Sequence, residues 1–305
     1  MTASHAPTGA VPVGFVGLGD MGRPMALRLL RAGLPMVVCD RNPAALQPFV
    51  AGGAQAASTP REVADLAELV VICLPAPEIS LAVALGEDGL RQGARMRWMM
   101  ETSTVGQSTL HALADGLRPR GIEVLDAPVS GGPRGEAAGR LSCFVSASQA
   151  AFDAARPVLS VLADRLFHIG TQPGQSQVLK LANNMLNAAN LTLACEMMHM
   201  VRSAGIELKT ALEVINASTG RSRATEETLP AQVLSGAFDT GARLDILHKD
   251  VRLAVAEAAR QHTACPAATA AAAVWDRAMA AGLGAADLSR IYEFIANDTQ
   301  AAKAD

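Results

Sequence analysis

The segment Gly17-Leu18-Gly19-Asp20-Met21-Gly22 limits the fold of this 305-residue chain more than any other. It follows an apolar run, Val13 to Leu18, and leads into Pro24 to Ala32, whose apolar spacing is helical and which stops at Gly33. A glycine triad between a strand and a helix sets a backbone turn against a pyrophosphate. Gly17 permits the tight turn, Gly19 lets the backbone approach the phosphates, and Gly22 lets helix and strand pack closely. Leu18, Asp20 and Met21 complete the loop, and the new helix offers unpaired N–H groups to the anion. A second strand, Met36 to Asp40, ends in an acidic side chain where a carboxylate meets the ribose of a dinucleotide. Asp40 favours NAD, because a carboxylate repels a 2′-phosphate. Arg41 would attract one, so NADP stays open. The bland alternative is a glycine-rich turn with a chance aspartate downstream.

The first half continues in the same alternation. Ala44 to Ala51 has helical character and ends in Gly52-Gly53, and Leu69 to Leu74 is a third strand closed by Pro75. Arg97 to Glu101, Glu123 to Ala127 and Cys143 to Ser146 follow as strands. Strands alternating with helices predict a mostly parallel sheet covered on both faces. Beyond Gly170 the strand signals stop. Between Gly174 and Ala204 there is no proline or glycine, which predicts one helix of about 45 Å. Further helices are expected over Leu208 to Ser218, Asp250 to Gln261, Ala264 to Ala281 and Ala285 to Ala296. The expected architecture is α/β. Residues 1–10 form a disordered tail, 11–172 a Rossmann-type doubly wound domain, and 173–305 an all-helical substrate and oligomerisation domain, joined by the long helix.

Composition removes several function classes. A formal net charge of −3 gives no basic face for nucleic acid. At 50% hydrophobic and 18% charged, the chain is too apolar for disorder. Uncharged stretches such as Thr263 to Trp275 fall short of the roughly 20 residues that span a membrane. Met1 to Ala10 lacks the basic end and apolar block of a secretory signal. The five cysteines stand far apart in apolar runs, which suits reduced thiols in the cytoplasm rather than zinc or disulfides.

Of the 26 basic residues only four are lysines: Lys180, Lys209, Lys249 and Lys303. Lys180 lies within the long helix, and Asn183, Asn184 and Asn187 follow at spacings that share its face. An amine backed by carboxamides is a poor core and a sensible lining for a polar site. The alternative is a lysine snorkelling on a solvated face. Lysine can change protonation state where arginine cannot, and a partly buried amine can exchange a proton near neutral pH. Other bases fit less well. Tyr292 is followed four residues on by Ala296, so the Tyr-x-x-x-Lys arrangement of short-chain dehydrogenases is absent. None of His111, His168, His199 and His262 has an obvious carboxylate partner in sequence, and each reads as structural.

A second glycine-rich loop, Asp126 to Leu141, follows a strand. It is either a long turn or an anion loop in which Ser130 and the N–H groups of Gly131 and Gly132 hold a carboxylate. Together the blocks resemble the β-hydroxyacid dehydrogenase family, which includes 3-hydroxyisobutyrate dehydrogenases and tartronate semialdehyde reductases. Gly14 to Met25 resembles its cofactor signature, Asp126 to Leu141 its substrate loop, and Gly174 to Asn184 its catalytic block. The resemblance implies Lys180 as general acid/base and Asn184, Ser130, Gly131 and Gly132 as substrate ligands. It also implies cofactor contacts at Gly17 to Gly22, Asp40, Arg41, Leu74, Pro75, Thr104 and Lys249, the last in the pair Lys249-Asp250.

Within the family, Asp40-Arg-Asn-Pro43, Ala84 to Leu90, Arg243-Leu-Asp245 and Gly282 to Asp287 look most like tartronate semialdehyde reductases. Glu101, Gly106, Arg140 and Cys143 to Ser146 depart from the usual pattern. The implied partners are a small carboxylate substrate and a second or fourth copy of the chain, because an all-helical half leaves apolar surface to cover. Two other readings remain. An imine reductase shares the architecture but often lacks the lysine, and a non-catalytic dinucleotide sensor would bind NAD without chemistry.

Overall fold

The computed structural model describes residues 11–132 and 141–301, with side chains as far as Asn297. The expected N-terminal tail and Arg140 lie outside the described residues. By internal contacts the chain divides into two compact units, Met1–Lys180 and Leu181–Asp305.

Among the described residues, the first unit is built on a nine-stranded sheet. Strands β1 (Val13–Val16), β2 (Met36–Cys39), β3 (Gln55–Ala56), β4 (Leu69–Ile72), β5 (Trp98–Glu101) and β6 (Glu123–Asp126) are parallel, in the spatial order 3-2-1-4-5-6. This is the doubly wound order, with its switch point between β1 and β4. The later strands depart from parallel pairing: β8 (Ser142–Ser146) runs antiparallel to β6 and to β7 (Val129–Ser130), and parallel to β9 (Arg165–Gly170).

Strand periodicity explains the two layers. Phe15, Val38, Val71, Met100 and Leu125 point into one core, against α1 (Gly22–Arg31), α2 (Pro43–Ala51) and α6 (Gln149–Leu162). Val16, Val37, Val70, Met99 and Val124 point into the other. That core is closed by α3 (Pro60–Leu66), α4 (Pro77–Leu85) and α5 (Gln107–Leu117). Successive side chains face opposite sides of a strand, so a strand buried on both faces reads as a continuous apolar run. Fully burying each large side chain contributes about 1.5–3 kcal/mol.

Helix α7 (Gln175–Ser203) is continuous across the division between the units. The second unit contains the rest of it, α8 (Leu208–Asn216), a π-helix over Ala224–Leu234, α9 (Leu244–Arg260), α10 (Pro266–Ala280) and α11 (Ile291–Ala301). Its core centres on Trp275, whose Nε1 donates to Thr192 Oγ1 at 2.9 Å. Helix α9 begins six residues before the expected Asp250, because Leu244, Leu247 and Val251 already form a buried face at helical spacing. The last helix begins at Ile291 rather than Ala285, since Asp287 caps a short 3₁₀ turn through Ser289 N–H first. Among the described residues, no helix is long and apolar enough to cross a membrane.

Candidate functional site

The glycine loop divides its labour by contact. Gly17 adopts φ 95°, and a Cβ there would stand 2.2 Å from the Cys73 carbonyl oxygen. A Cβ on Gly22 would stand 2.0 Å from Gly17 O, so the start of α1 packs on the turn itself. At Gly19 nothing lies within 4 Å of where a Cβ would stand, leaving open ground before the loop. Helix α1 has no side-chain cap and no acidic residue in its first turn. The Arg23 N–H is taken by Gly19 O at 2.9 Å and Pro24 has none, so the helix offers an anion the positive end of its dipole rather than the expected row of unpaired N–H groups. A cavity of about 560 Å³ opens between Leu18–Asp20, Arg23 and the start of α2.

The Asp40 carboxylate ties this loop to the end of β2. Oδ2 accepts from Leu18 N–H at 2.6 Å and Oδ1 from Asn42 N–H at 2.8 Å. Arg41 is exposed beside it. These features fit the phosphates and adenosine ribose of a dinucleotide. Leu74 N–H donates to Ser103 Oγ at 2.7 Å, with Pro75 exposed beyond it and Thr104 half-buried in the following turn. Ser130 ends β7 half-buried. Gly131 and Gly132 follow at φ 145° and 64°, a backbone that side-chain-bearing residues rarely adopt.

At the ends of β5 and β6 the structure builds a buried polar junction. Asp126 Oδ2 accepts the N–H groups of Gly174 (3.0 Å), Ser176 (3.0 Å) and Gln177 (3.2 Å), capping α7. Asp126 Oδ1 accepts from Gln177 Nε2 at 2.9 Å. Burial nevertheless outweighs these donors and pushes the Asp126 carboxyl up to about 6. Ser176 Oγ meets Ser146 Oγ at 2.7 Å. On β5, Glu101 Oε1 accepts from Ser103 N–H at 2.8 Å. Glu101 is fully buried, and burial pushes its carboxyl up to about 7. Its Oε2 faces Ser80 Oγ without a formed hydrogen bond.

Lys180 lies one turn beyond Gln177 on α7 and is 7% exposed, so its stem is buried rather than laid along a solvated surface. The expected asparagine ladder is more divided. Asn183 is exposed and donates to Asn184 Oδ1 at 3.0 Å. Asn184 Nδ2 donates to Asp250 Oδ2 at 2.6 Å, and Lys249 Nζ donates to Asp250 Oδ1 at 2.7 Å. Within the second unit, Asn184 and Lys249 thus converge on one buried carboxylate.

Sequence reasoning assigned no role to Asp126, Gln177, Ser103 or Asp250. The one available signal was position: Gln177 precedes Lys180 by three residues and shares its face. Three of the histidines read as structural bond to backbone carbonyls: His111 to Pro173 O, His168 to Ala147 O and His199 to Tyr292 O. His248 pairs with Asp276 at 2.7 Å. Among the described residues no group of three His, Cys, Asp or Glu could hold a metal.

Comparison with known proteins matches both halves. Residues 12–170 match the NAD-binding domain model of 6-phosphogluconate dehydrogenase. Residues 174–295 match the NAD-binding model of NADP-dependent 3-hydroxyisobutyrate dehydrogenase. A 2-(hydroxymethyl)glutarate dehydrogenase of Eubacterium barkeri is 33% identical over 93% of this chain and 94% of its own. An NAD-dependent L-serine dehydrogenase of Pseudomonas aeruginosa is 32% identical over 92% and 96%. The structure of a Mycobacterium tuberculosis 3-hydroxyisobutyrate dehydrogenase with L-serine superposes with a TM-score of 0.85. It is 26% identical and covers 94% of this chain and 99% of that one.

Proposed function

The chain belongs to the β-hydroxyacid dehydrogenase family, and from that premise we propose that Lys180 carries the proton in interconverting an acid HO–CH₂–CHX–COO⁻ and its semialdehyde. Membership makes the protein an NAD(P)-dependent oxidoreductase acting on a hydroxyl group. The substrate class is the chemistry common to the relatives' names. Serine, 3-hydroxyisobutyrate and 2-(hydroxymethyl)glutarate share the hydroxymethyl group and carboxylate and differ only in X. Tartronate semialdehyde, with X as hydroxyl, is the member suggested by the sequence blocks.

The nicotinamide supplies the hydride acceptor or donor. The chain's own residues do the rest. Ser130 and the N–H groups of Gly131 and Gly132 hold the substrate carboxylate. Lys180 Nζ takes the hydroxyl proton during oxidation and returns it during reduction. Asn184 orients the substrate, and Lys249 contacts the cofactor. Asp40 favours NAD over NADP by opposing a 2′-phosphate. The single observation that carries this reading is a buried lysine on a helix whose first turn is fixed to the ends of β5 and β6.

The test follows absorbance of the reduced nicotinamide with 3-hydroxyisobutyrate, L-serine, glycerate, 2-(hydroxymethyl)glutarate and tartronate semialdehyde. Lys180→Ala should lower turnover by about 10²–10⁴-fold and leave cofactor binding near normal. Near-normal turnover in that variant would remove Lys180 from the chemistry. Cofactor binding with turnover of none of the five would favour a sensor.

A second copy of the chain is the expected partner. Leu186, Leu193 and Met200 of α7 are 62%, 56% and 60% exposed and recur every seventh residue, on one face. A monomer in sedimentation velocity would overturn this.

A further inference from the structure

We propose that Gln177 is a positioning residue for the reaction: its carboxamide fixes the Ser103–Gly106 turn, which carries Thr104, to the first turn of α7, one turn before Lys180. The inference rests on the reading of Lys180 as proton carrier and adds the device that sets its place.

The carboxamide is fully committed. Gln177 Oε1 accepts from Val105 N–H at 2.9 Å and from Gly106 N–H at 3.0 Å. Nε2 donates to Ser103 O at 3.1 Å and to Asp126 Oδ1 at 2.9 Å. Two acceptor sites and two N–H groups are all a carboxamide has, and all four are used at a fully buried position. The pattern also fixes which way the amide points. A flipped amide would set NH₂ against two backbone donors and its oxygen against Ser103 O.

The three partner residues Ser103, Val105 and Gly106 bracket Thr104. Ser103 is held further by Glu101 Oε1 at its N–H and receives Leu74 N–H on its hydroxyl. One side chain therefore links the turn after β5, the end of β6 and the helix. Gln177 and Lys180 are three residues apart, about 4.5 Å along the axis and on one face. A change in where Gln177 is anchored moves the base of Lys180. Hydride and proton must leave one carbon–oxygen unit together, so the distance between the cofactor's support and the amine is what such a brace would control. A misplacement of about 1 Å can cost about 100-fold in rate.

Gln177→Met keeps the length and removes all four hydrogen bonds. In cofactor-saturated enzyme it should lower kcat about 100-fold with much less change in KM. The isotope effect from deuterium on the reacting carbon should rise, because transfer becomes rate-limiting. Gln177→Glu supplies a readout that a purely structural role would not move. The titratable groups around position 177 are Asp126, bonded directly, Glu101, through Ser103, and Lys180 on the same helix. As a protonated acid, Gln177→Glu can accept from the turn and donate to Asp126. Ionised, it opposes Asp126. Its kcat should recover on acidification and fall as pH rises, relative to the wild type.

A folded Gln177→Met with a lowered Tm and wild-type kcat would show that the residue only stabilises. So would a Gln177→Glu profile that parallels the wild type, and this arm carries the test if Gln177→Met does not fold. Lys180→Ala run in parallel separates the two ideas. Retained turnover there sinks the proton-carrier reading. Lost turnover there, with normal kcat in the Gln177 variants, sinks only the positioning.

Discussion

Asp126 in the first unit and Asp250 in the second are both buried carboxylates bonded to α7, yet their partners differ in kind. Among the described residues, Asp126 meets neutral dipoles alone: three backbone N–H groups and the Gln177 amide. Asp250 meets the Lys249 ammonium as well as the Asn184 amide. Neutral donors give direction and shape, but they do not replace a counter-charge, and burial still lifts the Asp126 carboxyl to about 6. An ion pair supplies charge balance with looser geometry. The first arrangement suits a fixed frame. The second suits a lysine in the cofactor-contacting role proposed for Lys249.

The largest expected effects come from exchanging each carboxylate for an amide. Asp250→Asn removes the carboxylate charge that Lys249 Nζ meets at 2.7 Å, and kcat/KM should fall about 100-fold, the equivalent of about 3 kcal/mol. Asp126→Asn keeps an oxygen for the three backbone donors but sets an NH₂ against Gln177 Nε2. It should lower the stability of the first unit by about 1–3 kcal/mol, read by denaturant unfolding. Equal losses of turnover and of stability in the two variants would break the contrast between frame and reach.

A smaller effect sharpens it. Glu101 has a folded pKa raised to about 7 from 4.5. The native state therefore binds this proton more tightly than the unfolded chain does. Its contribution to stability is complete below pH 4.5 and is lost as pH rises through about 7. Glu101→Gln cannot ionise, and its NH₂ can donate to Ser80 Oγ. The variant should melt a few degrees above the wild type on the alkaline side, with a flatter dependence of Tm on pH. Parallel Tm profiles for the two proteins would show that Glu101 keeps its charge state across that range.

The strands at the centre of the first unit were legible because burial on both faces leaves runs such as Leu69 to Ile72 with no polar residue. The glycine loop was legible because the spacing of Gly17, Gly19 and Gly22 between a strand and a helix is itself a local pattern, although the carbonyl that crowds Gly17 belongs to the distant Cys73. Helix α7 was legible from the lack of breakers. The antiparallel pairing of β8 was not, since Ser142 to Ser146 reads the same in either direction. Strand β9 was not, because its pattern is mostly exposed. The π-helix contains Pro230, which argues against any helix when read locally. Among the candidate site residues, Lys180 and Asn184 stood out by residue type. Asp126 and Gln177 did not, because Gln177 bonds partners 51 to 74 positions away, which no local pattern records.

The unbroken course of α7 has a consequence for how this chain can vary. Each residue turns the helix by about 100°, so one residue inserted or lost between Gln177 and Asn184 swings the two apart by more than a quarter turn. Gln177, Lys180 and Asn184 are threads cut on a single screw. Substitutions at the exposed positions between them, Leu179, Ala182 and Asn183, can be absorbed one at a time, but a change of length puts Lys180 or Asn184 out of phase with Gln177. Outside Gln177, Lys180 and Asn184 themselves, the exposed face of 177–184 should therefore tolerate exchanges of side chain and almost no change in count.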